Sequence, residues 1–120
     1  MDSDKSFEVI SFTKKGDLLE MSTTAINVKF VDNELYIIAI PSNGMASSEL
    51  FHYMSGFNDP MNVTIIPKHV LAAGTYTLCF VGINWGGPSQ FSISLTGGPA
   101  VILNAISGAG CVCTSVPITV

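Results

Sequence analysis

The most constraining feature of this chain is the spacing of its apolar residues, which recur at every second position rather than every three or four. Phe91, Ile93 and Leu95 alternate with Ser92, Ser94 and Thr96. Tyr76, Leu78 and Phe80 alternate with Thr75, Thr77 and Cys79. Successive side chains of an extended strand point to opposite faces, so this rhythm turns one face to a dry interior and the other to water. Met61, Val63 and Ile65 repeat it, as do Ile26, Val28 and Phe30, which are expected on one face, and the alternation from Phe7 to Phe12. Leu35 to Ile40 is apolar throughout and reads as a central strand covered on both sides.

Turn chemistry punctuates these runs. Lys14-Lys15-Gly16-Asp17, Asp32-Asn33, Pro41-Ser42-Asn43-Gly44, Asn58-Asp59-Pro60 and Gly97-Gly98-Pro99 all favour reversal over continuation. Eight or nine short strands result, the last two through Val101-Ile102-Leu103 and Cys111 to Val120. The expectation is one all-β domain over 1–120, an antiparallel two-sheet β-sandwich of jelly-roll-like kind. At most one short helix is expected, near 47–56, where Leu50, Tyr53, Met54 and Phe57 stand at i, i+3, i+4 and i+7.

The segment Ala73-Gly74-Thr75-Tyr76-Thr77-Leu78, then a Gly-rich loop and Phe91-Ser92-Ile93-Ser94-Leu95, resembles the closing hairpin of several β-sandwiches. Bacterial pre-peptidase C-terminal domains and the GOLD domains of trafficking proteins are examples. The resemblance covers residues 73–95 and implies a sandwich fold. It carries no function, and the acidic residues that bind calcium in some pre-peptidase domains are missing at matching places.

Composition narrows the function classes. Charged residues are only 12% of the chain against 48% hydrophobic, the reverse of what disorder requires. A surface so poor in charge suits a protein that packs against something, copies of itself included. Net charge is −4, and Lys5, Lys14, Lys15, Lys29 and Lys68 are the whole basic complement, with no arginine. Nucleic acid is therefore not an expected partner, since neither a basic stripe nor a guanidinium fork is available. Every apolar run stops well short of the ~20 residues of a spanning helix, so no transmembrane segment is expected. Met1-Asp2-Ser3-Asp4-Lys5 is polar and acidic, unlike a secretory leader. A cytoplasmic location and release by a non-classical route both stay open.

No catalytic constellation is legible, and an enzyme is not expected. His52 and His69 are the only histidines, and no Gly-x-Ser-x-Gly elbow or P-loop occurs. Cys111 and Cys113 share a strand face, but a structural zinc needs a second regularly spaced pair, so neither metal nor cofactor is expected. Three cysteines cannot all pair within one chain, which fits a reducing compartment or a cross-link between subunits through Cys79, Cys111 or Cys113.

Two places remain. The loop Asn84-Trp85-Gly86-Gly87 holds the only tryptophan, and an indole beside an amide suits a sugar ring, with Tyr53 as a further contact. The opposing reading has Trp85 folding back to cap the core. The tail 99–120 carries no charge. It reads as a final pair of strands, as a strand donated to a neighbouring subunit, or as a modifiable core peptide released after Gly98. Association with itself or another protein is the leading expectation, and carbohydrate binding the alternative.

Overall fold

The computed structural model describes residues 22–120, so the alternation at 7–12 and the turn at 14–17 lie outside the described residues. Seven strands are described: β1 (Ala25–Val31), β2 (Glu34–Pro41), β3 (Ser48–Met54), β4 (Asp59–Ile65), β5 (Thr75–Asn84), β6 (Ser92–Thr96) and β7 (Gly110–Thr119). A single 3-10 turn at Pro67–His69 joins β4 to β5. The strands form two antiparallel sheets, in the order β4-β1-β6 and β3-β2-β5-β7. The molecule is the expected all-β two-sheet sandwich.

Its core is the meeting of the two inner faces. Ile26, Val28 and Val31 come from β1, Leu35, Ile37 and Ala39 from β2, Leu78 and Phe80 from β5. Ile93 on β6 and Val116 and Ile118 on β7 complete the layer, with Phe91 just before β6. Each buried aliphatic side chain contributes about 1.5–3 kcal/mol by leaving water. Gly82 sits on the inner face of β5 under the Phe91 ring, where a Cβ would lie 2.8 Å from ring carbons. Any larger residue there must displace that ring.

Four local expectations change. Residues 48–54 form an edge strand rather than a helix. Ile37 pairs with Phe51 but Ile38 pairs with Glu49, leaving Leu50 as an extra residue. This bulge breaks the period of two, so Leu50, Phe51 and Tyr53 all reach the core while Met54 and Phe57 stay exposed. A second irregularity, at Lys29, flips β1 out of phase, so Val31 is buried and Phe30 only partly. β2 is central in its sheet, but among the described residues only one of its faces meets the core: Leu35, Ile37 and Ala39 point inward, while Ile40 is 41% exposed. Val101-Ile102-Leu103 is not a strand; Val101 and Leu103 pack against the core without joining a ladder.

Candidate functional site

At one end of the sandwich, three connections are tied together by short polar side chains. The Asp32-Asn33 turn carries the chain from one sheet to the other. Asn33 donates from Nδ2 to the Gly56 carbonyl at 2.9 Å and accepts from the Trp85 N–H at 2.6 Å. Asn58 donates its backbone N–H to Asp32 Oδ1 at 3.1 Å and its Nδ2 to the Pro88 carbonyl at 3.0 Å. Its Oδ1 accepts from the Gln90 N–H at 3.0 Å. Asn58 and Ser55 hold left-handed backbone conformations, with φ of 50° and 66°. Asparagine tolerates this better than most residues, because its side chain bonds locally. Asp32 is 2% exposed, and its Oδ2 has no hydrogen-bond partner among the described residues.

Asn84 belongs to the same framework. It is 1% exposed, and its Nδ2 donates to the carbonyls of Gly87 at 2.6 Å and Gly108 at 2.9 Å. Its Oδ1 accepts from the Gly86 N–H at 3.2 Å. The amide proposed by the sequence for a ligand's hydroxyls is spent inside the loop. Trp85, by contrast, is 54% exposed, and does not cap the core. Its Nε1–H donates to Glu34 Oε2 at 2.8 Å, which fixes the ring at the rim of the outer face of the four-stranded sheet.

Tyr53 is not brought beside it. Tyr53 pairs with inward-pointing Leu35, packs against the core, and donates its hydroxyl to Asp59 Oδ2 at 3.0 Å. That bond to a carboxylate holds the phenol above its ordinary pKa. Glu34 lies on the opposite face, so Trp85 and Tyr53 flank different sides of the sheet. Glu34 as the indole's partner was not legible in the sequence, and Asp32, Asn33 and Asn58 were legible only as turn residues.

The outer face of the four-stranded sheet gathers the other candidates. Tyr36, Ile38 and Ile40 of β2 lie beside Val81, Cys79 and Thr77 of β5, and these beside Cys113, Ser115 and Pro117 of β7. Ile83 and Cys111 pair one row further on. All three free thiols therefore share one face. Cys113 is held above the usual thiol pKa, first by desolvation and then by Cys111 and Cys79 beside it. Among the described residues, no group of three or more His, Cys, Asp or Glu is placed to hold a metal ion. His52 stacks on Tyr36 with ring centroids 4.0 Å apart and lies 3.9 Å from Glu49 Oε2. His69 lies in the 3-10 turn.

β7 completes its own chain's sheet, pairing with β5 from Gly110 to Thr119. Among the described residues it is one of the two edge strands of that sheet, β3 being the other. Cleavage after Gly98 would remove this strand together with the core residues Val116 and Ile118. No described helix is long and apolar enough to cross a membrane. In comparisons with known proteins, no family model, curated protein or solved structure matches this chain.

Proposed function

We propose that this protein works by association, as a β-sandwich subunit that packs against copies of itself rather than as a catalyst. One observation carries the reading: the outer face of the four-stranded sheet sets Tyr36, Ile38 and Ile40 of β2 beside Val81, Cys79 and Thr77 of β5 and runs into an uncharged edge strand. Glu34 and Glu49 stand only at its margins, each beside an aromatic ring or a histidine. A sheet face of this kind gains free energy from being covered. Sedimentation velocity over a wide concentration range, with and without reductant, tests it. The expected result is concentration-dependent assembly in both buffers. A monomer throughout would overturn it.

A second reading rests on Trp85. A half-exposed indole pinned through its Nε1 offers a fixed, flat surface on which a sugar ring can stack. In this reading the partner is a carbohydrate, Glu34 orients the ring, and Asn84 shapes the loop from within. Titrating tryptophan emission with a glycan panel separates it from self-association. A shift that saturates with one sugar supports it, and an emission unmoved by every sugar removes it.

A further inference from the structure

The ladder geometry of β7 identifies which surface two copies would share. In an antiparallel ladder, alternate residues bond to the neighbouring strand and those between turn their N–H and C=O away from it. Gly74 and Val120 exchange both backbone hydrogen bonds, each at 2.8 Å. Carried along the register, this makes Ile118, Val116, Thr114, Val112 and Gly110 the residues bonded to β5. Thr119, Pro117, Ser115, Cys113 and Cys111 therefore turn their backbone groups to the free edge. Two facts agree. The Thr119 carbonyl accepts from the Thr23 N–H at 2.8 Å, away from β5. Proline, which lacks an N–H, stands at 117, where the N–H would face outward.

The edge is thus closed at one end by Thr23 and Pro117. It is open at Cys111, Cys113 and Ser115, whose backbone groups meet no partner among the described residues. We infer that this open edge pairs antiparallel with β7 of a second copy, about a two-fold axis at Cys113, joining two four-stranded sheets into one. The inference rests on the self-association proposed above.

The window is self-complementary. With Cys113 opposite Cys113 of the partner subunit, Cys111 faces Ser115 of the partner subunit, and the reverse. The next position sets Pro117 against residue 109, which precedes β7 and needs no bond there. No charged residue lies in β7, so two copies bring no like charges together. The other described edges are guarded. β3 carries Glu49 and a bulge, β4 carries Asp59 and Pro60, and β6 is only 5 residues long.

Charge swapping at the axis tests the pairing on the full chain. Cys113 is exposed, so the folded subunit tolerates Cys113→Lys and Cys113→Glu, which circular dichroism checks. Each variant alone sets like charges opposite each other, and its dimer dissociation constant should rise about tenfold or more. An equimolar mixture of the two should recover association as a heterodimer. Ser115→Pro, which deletes an outward N–H and spares the bonds to β5, should weaken association similarly. If the wild type assembles but no variant weakens it, or the mixture recovers nothing, the edge is wrong while self-association stands. A monomeric wild type would overturn both. A monomer whose Cys111 and Cys113 amides resist hydrogen exchange would mean that the edge is already occupied within the chain, which overturns the pairing.

Discussion

Asn84 shows how far a residue type can mislead when its burial is unknown. Next to an exposed tryptophan, an amide suggests ligand contact. The structure buries it and uses both ends of the amide to close the 84–87 loop and to bind the Gly108 carbonyl. Replacing it removes its bonds to those carbonyls and to the Gly86 N–H. We expect Asn84→Ala to lower unfolding stability by about 1–3 kcal/mol, from the lost hydrogen bonds of a buried amide. Urea denaturation followed by circular dichroism measures this. A value within a few tenths of wild type would show that the loop is held by something else. Trp85 itself was legible as the one large aromatic in a loop, but not its orientation, which depends on Glu34, 51 positions away in sequence.

Among the elements, the cleanly alternating strands were read correctly from the sequence, and the bulged ones were not. β5, β4 and β6 keep a strict period of two, so their inward residues could be named before any pairing was known. β3 and β1 each contain an extra residue, which shifts the phase partway along. A bulge at Leu50 gives apolar spacings that imitate a helix, and only the partner strand β2 reveals the difference. β7 was legible only as a final strand from Cys111 to Val120, without its inner residues Val116 and Ile118, and its role in the fold is substantial. Removal of residues 99–120 strips Val116 and Ile118 from the core, worth about 3–6 kcal/mol together. It also leaves one side of β5 unpaired, the other staying bonded to β2. That loss rivals the roughly 5–15 kcal/mol that holds a typical domain together. We expect the truncated chain to lose its β signal and its cooperative thermal transition. A truncated chain that still melts cooperatively near the wild-type temperature would show that β7 is dispensable.

For the whole molecule, alternation and turn chemistry were enough to give two packed sheets, because one wet and one dry face per strand permits few other arrangements. Low charge and the missing arginine, likewise properties of the chain alone, are the grounds for proposing association and for expecting no nucleic-acid partner. What only the tertiary structure decided is, among the described residues, which strands became edges, which apolar face turned away from the core, and where the three thiols and the tryptophan came to lie. Those outcomes depend on pairings between residues far apart in sequence. A strand's own residues say which side is apolar, and not what will lie against it.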